Sequence, residues 1–403
     1  MIYLDNAATT QITPAVVAAM LPYLTDSYGN AGSLYKLGRD SALAIEKARA
    51  QVAGLMMGAK PEQIIFTSGG SESNSLVFHG LRDYLSRIGK KTVVVSATEH
   101  DSVLKAANAL RIPLCRNTEM NIKDDFDIRF LRVDPYGEVV LDDLEEMLVS
   151  SDVGLVSVMY VNNETGAINN VREIGRLCKE HGVLFHTDCV QAAGCHKIDV
   201  QEMKCDFASI SSHKIHGCKG VGALFVRDKN ILSPIIYGGT EQEYGLRGGT
   251  ENVAGIVGFG VAAEIAATRQ AETLSTVTYY KKRFFQKVSD VLRNNQMRDI
   301  LKVNGHLSNA GKTLNIRFDD VDGETLVLML DSKGICISSG SACRSHESEP
   351  SHVLRVMGLE PDEARDSVRI SFSDFNSISE IDNAAETIAE VVVFLRKGLQ
   401  NGN

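Results

Sequence analysis

The sequence predicts an α/β fold with a mainly parallel sheet, and three observations carry that prediction. Short runs of apolar and β-branched residues recur along the middle of the chain: EQIIFTS, KTVVVSA, DVGLVSVMY, GVLFHTD and DFASIS. Longer amphipathic segments separate them, as strand-crossover-strand units require. Polar residues follow each run directly, where an open parallel sheet binds its ligands.

Taken in order, the elements support this reading. MIYLDNAATT has no basic stretch followed by an apolar core, so it does not read as a signal peptide. In the middle, NNVREIGRLCKEHG begins with polar residues, places apolar ones at helical spacing and stops at Gly182, as a crossover helix does. The segment RNTEMNIKDDFD, 116 to 127, is polar enough to be a surface excursion. Charged helical residues dominate from about 260 to 310, a change of texture that suggests a passage from a large lobe (15–260) to a smaller one (1–14 and 261–403). Near the end, IAEVVVFL is too short to cross a bilayer.

Composition narrows the function. With 403 residues, 44% of them hydrophobic, the chain exceeds one ordinary core and fits two packed lobes. A formal charge of −9 argues against a standing affinity for nucleic acid or an anionic membrane and favours small substrates. Eight scattered cysteines read as reduced thiols, which together with the N-terminus points to a cytoplasmic protein.

Five strand ends deliver chemistry to one rim: GGSESN, TEHD, NNETG, DCVQ and SHKIHG. Gly69 and Gly70 permit close backbone approach, Ser71 adds a hydroxyl, and a helix starting there offers N–H groups to a phosphate, although a serine-capped tight turn reads the same way. Lys214 follows an apolar strand, where an amine is a solvated loop residue or is paired or covalently engaged; one covalent use is a Schiff base with pyridoxal phosphate. That cofactor needs a carboxylate for its ring nitrogen, which Asp188 offers, and a phosphate cradle, for which Gly70, Ser71, Ser211 and His213 have the right groups. His100 brings a flat ring and a proton-transfer group. Two groups, His213, His216, Cys218 and Cys343, His346, His352, have metal-ligating side chains but not a strong zinc spacing, so no metal is expected.

CISSGSACRSHESEP, 336 to 350, holds two thiols of different character. Cys336, beside Ile335 and Ile337, reads as a small buried hydrophobe. Cys343 lies among Ser, Gly, His and charged residues, where a thiol is either incidental or reactive.

Along nearly the whole chain, YLDNAATT, FTSGGSESN, TEHDSVL, VNNETG, HTDCVQ, SSHKIHGCKGVGAL, LRGGT, SSGSAC and EPSHVLRVMGL make the sequence resemble the cysteine desulfurases, fold-type I pyridoxal-phosphate enzymes of the class V aminotransferase group. The resemblance implies a large domain with a mixed, mainly parallel sheet flanked by helices and a smaller α+β domain. It implies that Lys214 is the Schiff-base lysine, Asp188 the partner of the pyridinium nitrogen, Gln191 that of the phenolic oxygen, and His100 the stacking ring. Asn163 lies beside cofactor and substrate, and Gly70, Ser71, Ser211, His213 and Thr250 hold the phosphate, Thr250 from the neighbouring subunit of a homodimer. Arg369 grips the carboxylate of L-cysteine. Cys343 is implied to be the nucleophile that takes the sulfur as a persulfide, leaving alanine, and passes it to an acceptor protein. Iron–sulfur assembly, tRNA thiolation and DNA phosphorothioation are the acceptor routes; a selenocysteine lyase, an aminotransferase or an inert scaffold of the same fold are the rival functions. The chain departs from the family pattern in GGTEQEYGLRGGT, one residue longer than usual, and in SVRISFSDFNS, which lacks a Gly-Arg after the arginine.

Overall fold

A computed structural model describes residues 1–111, 126–239, 241–339 and 350–401. Its largest sheet has seven strands in the order Ile64–Thr67, Gly222–Val226, Phe207–Ser211, Leu184–Asp188, Val153–Ser157, Thr92–Ser96 and Asp127–Leu131. Gly222–Val226 runs antiparallel to both neighbours and the remaining pairings are parallel. Successive side chains point to opposite faces of a strand, so a sheet covered on both sides needs apolar residues at every position. The chain meets that need: Val94, Val156, Phe185 and Phe225 join the core on one face. Val93, Val95, Leu155 and Leu224 join the core on the other. The strand interiors are largely apolar, with His186 and Ser209 as buried mid-strand exceptions that bond each other at 3.1 Å, and six strands present their carboxyl ends, rich in polar residues, to one rim.

A second sheet, antiparallel, orders Leu301–Val303, Thr313–Phe318, Ser367–Ser371 and Ser338–Ser339. The N-terminal strand Ile2–Tyr3 belongs with this half of the molecule through its pairing to Ile335–Cys336. A single helix, Val253–Asn294, joins the two halves: Ile256, Phe259 and Ala263 pack into the large core, while Val277, Phe284, Val288 and Leu292 pack into the small one. The expected change of lobe at 260 therefore falls inside a continuous helix. Cys336 is half-buried on its short strand and not the core residue its apolar neighbours suggest. Of the segment expected to be a surface excursion, 116 to 125 lie outside the described residues, whereas Phe126 is buried and Asp127 opens a strand. The excursion reading fails for these last two residues, because Phe126 packs among Val93, Val95 and Ile128.

Candidate active site

A cavity of about 280 Å³ opens at the rim of the large sheet. Gly70 and Ser71, at the start of the helix Gly70–Gly80, form one wall. That helix follows Gly69, whose φ of 155° suits glycine, and it has no side-chain cap, so its first N–H groups face the cavity without an intrahelical acceptor. A Cβ on Gly70 would lie 2.9 Å from Val190 Cγ2, which keeps this position small. Ser211 and His213 extend the wall from the end of Phe207–Ser211. The His213 ring bonds Thr9 Oγ1 at 3.1 Å, and burial, with Lys214 nearby, holds it down to about 4, so the ring is neutral at pH 7.

Lys214 closes the short turn Ser212–Lys214 and lines the same cavity as Asp188. Its Nζ donates to the carbonyl oxygens of Ala7 (2.5 Å) and Ala8 (2.8 Å), so the N-terminal segment steers the amine. Asp188 ends its strand with only 6% exposure and accepts from Asn74 Nδ2 and from the Val190 N–H, both at 2.9 Å. Glu99, fully buried and next in sequence to His100, is pushed well above the usual carboxylate range by burial.

His100 caps the helix Asp101–Ala109: Nδ1 accepts from the Ser102 N–H at 3.1 Å. Burial lowers its pKa, so the neutral ring carries its proton on Nε2. Gln191 gives one amide N–H to Ala7 O at 2.9 Å, while its Oε1 and the Oδ1 atoms of Asn163 and Asn74 are buried without a hydrogen-bond partner among the described residues.

Arg369 comes from the small sheet and is 5% exposed. Its Nη2 pairs with Asp5 at 2.8 Å and Ser338 Oγ at 3.2 Å, its Nη1 donates to Asn163 O at 3.1 Å, and its Nε is buried with no partner among the described residues. Thr250 is exposed and does not line the cavity. Cys343 lies outside the described residues, as do Arg344 and His346. The three metal-ligating groups around Lys214 face different partners: His216 bonds Gln11 O and Ser373, Cys218 bonds Gly255 O, and His213 bonds Thr9.

Asn74 was missed as a site residue although it stands four residues after Gly70, on the same helix face. The Ala7 and Ala8 carbonyls left no side-chain signal at all.

The arrangement suits pyridoxal phosphate. Open helix N–H groups, hydroxyls and a neutral histidine fit a phosphate; a buried, doubly hydrogen-bonded carboxylate fits a protonated ring nitrogen; and the unpartnered amide oxygens and Arg369 Nε are polar atoms that a bound cofactor and substrate can satisfy.

Comparison with known proteins agrees. The family model for aminotransferase class-V matches residues 2–384. A cysteine desulfurase IscS of Methanosarcina thermophila is 37% identical over 98% of this chain and 93% of its own. A solved NifS-like protein is 33% identical with a TM-score of 0.84, covering 98% of this chain and 100% of its own. A structure described as SspA in complex with cysteine is 32% identical with a TM-score of 0.76, covering 94% and 100%.

Proposed function

The chain belongs to the class-V aminotransferases and, among them, to the pyridoxal-phosphate-dependent cysteine desulfurases; on that premise we propose which residues carry the reaction and where the sulfur goes. The observation that supports the assignment most is the meeting of Lys214, Asp188, His100 and Arg369 in one cavity, from segments up to 269 residues apart (369 − 100). When bound, pyridoxal phosphate supplies an aldehyde and an electron-withdrawing ring that holds the electrons released at the substrate's Cα.

Gly70, Ser71, Ser211 and His213 hold its phosphate, with Thr250 of a second copy completing the cradle in a homodimer; the exposure of Thr250 suits that use. Asp188, oriented by Asn74, holds a proton at the ring nitrogen. Gln191 has a second amide N–H for the phenolic oxygen, and the His100 ring stacks beside it. Arg369 orients L-cysteine by its carboxylate through Nε, while Asn163 bounds the substrate side. Lys214 Nζ would hold the cofactor at its aldehyde and, when free, would take up the proton from the substrate's Cα.

Cys343 attacks the substrate's sulfur: its thiolate forms an S–S bond as the substrate's C–S bond breaks, the electron pair of that bond stays with the substrate's Cβ, and Cβ takes up a proton before alanine leaves. The described flanks suit this, because Ser338 bonds Arg369 and His352 Nε2 bonds Glu99 O, so both ends of the stretch are tied beside the cavity. Five residues from Ser338 span at most about 17 Å, enough to reach the substrate. A thiol with its ordinary pKa of about 8.5 is mostly protonated at neutral pH, and His100, Arg344 or His346 can supply its activation.

The persulfide then passes to an acceptor protein in the cytoplasm. Iron–sulfur assembly is the favoured route, in keeping with the IscS relative; DNA phosphorothioation is second and tRNA thiolation third. Replacing Cys343 by Ala leaves the cofactor's visible absorbance intact and abolishes alanine and sulfide formation, whereas Lys214→Ala changes the absorbance and loses about 10²–10⁴-fold in turnover. Normal alanine release by the Cys343 variant overturns the nucleophile assignment, and selenocysteine turnover without cysteine turnover makes the enzyme a lyase for selenium. Trapping the persulfide-bearing enzyme with its partners identifies the acceptor.

A further inference from the structure

A second cavity lies on the other side of the Lys214 segment. It has room of about 50 Å³, and Lys214, Ile215 and His216 form part of its wall. By the space one water needs, this is room for about four waters. The walls are mostly apolar, from Ala193, Ala262, Ile265, Ala266, Val277 and Phe372.

One amine, held below its usual range by burial, lines this space with no counter-ion among the described residues. Lys312 is 7% exposed, and its Nζ makes a single long contact, 3.5 Å, to the carbonyl oxygen of Lys214. The titratable groups that act on it are the Cys195 thiol, itself raised by burial, and the Arg369 guanidinium; no carboxylate is among them. The acid in the wall, Asp374, is already engaged: Arg269 pairs with it at 3.1 Å and the Thr273 hydroxyl donates to it at 3.0 Å. A buried ammonium is costly unless it is neutralised or paired, and here a space for the pairing group lies beside it.

We propose that this cavity is a binding site for a small aliphatic carboxylate of three or four carbons, with its carboxylate on Lys312 and its tail against the alanines of the long helix. One cation and apolar walls fit a monoanion with a short hydrocarbon end better than a phosphate, which needs several donors. Arg269 and Phe375, the latter 57% exposed, mark the side from which such a ligand enters. Because Lys312 touches the Lys214 carbonyl, occupancy acts on the backbone that carries the amine of the first cavity.

The test is thermal unfolding of the holoenzyme in sodium propionate, with sodium chloride balancing ionic strength and propionamide as the uncharged control. Propionate raises the midpoint saturably, by about 2–4 °C at a hundredfold excess over half-saturation, and propionamide does not. Lys312→Met abolishes the shift. So does Ala266→Leu, which fills the space and leaves Lys312 in place, so the test survives if the first variant does not fold. Absence of a saturable shift in the unaltered enzyme overturns the proposal. A shift that persists in both variants also overturns it, since it places propionate on Arg369, and that outcome leaves the proposed residue roles of the active site standing.

Discussion

The two sheets handle polar residues differently. In the seven-stranded sheet both faces are largely apolar, the bonded pair His186 and Ser209 being mid-strand exceptions, and the polar groups of the cavity gather at strand ends: Asp188 and Ser211 are the last residues of their strands. The four-stranded sheet alternates. Leu314, Ile316, Phe318, Val368 and Ile370 face its own core, while Asn315 and Arg369, registered opposite one another, face the large half. Asn315 Nδ2 donates to Glu164 O and Arg369 Nη1 to Asn163 O, so this polar face docks on the loop after Val153–Ser157. A sheet covered twice builds a rim; a sheet with one polar face inserts a side chain from mid-strand. The cavity therefore has a cofactor half from the first sheet and a substrate half from the second.

Substitutions in the two halves should separate cleanly. The largest effect of this set falls on Asp188→Asn, which removes the buried anion and lowers kcat by about 10²–10³-fold with little change in KM. Absorbance and kinetics together check it: an unchanged kcat would mean that the ring nitrogen does not depend on this carboxylate.

Next comes Arg369→Met. Losing charge-assisted hydrogen bonds to the substrate carboxylate is worth roughly 3 kcal/mol, or about 100-fold in kcat/KM, expressed mainly as a higher KM. The cofactor should stay bound, as its absorbance under dialysis will show. If Arg369→Met instead released the cofactor with KM unaltered, the division into two halves would be wrong.

The same contrast explains what was legible in the sequence. Asp188, Ser211 and Lys214 could be found as polar residues after apolar runs, because a doubly covered sheet is largely apolar within its strands. Arg369 sits between Val368 and Ile370 and its ion-pair partner Asp5 is 364 residues away, so only a family resemblance pointed to it. The helix Val253–Asn294 was read as a change of texture since its apolar stripe serves two cores in succession. Backbone carbonyls such as those of Ala7 and Ala8 carry no residue signature, and their role emerges only when the first strand pairs with Ile335–Cys336 and lays the N-terminus across the cavity.

The smallest effect is expected at Asn74, and it bears on whether the cofactor half is held by its strands alone. Asn74 Nδ2 donates to Asp188 Oδ2 and also bonds Ser102 Oγ, both at 2.9 Å, so one amide ties the anion to the helix that His100 caps. Asn74→Ala removes a hydrogen bond to a charged group, worth about 1.5 kcal/mol, while the Val190 N–H still holds the other carboxylate oxygen. A fall in kcat of about tenfold with KM preserved is the result expected of a positioning residue, and Asn74→Asp should do worse by setting a second carboxylate against the first. If Asn74→Ala shifted KM and left kcat alone, the amide would belong functionally to the substrate half despite its place in the first sheet's helix layer.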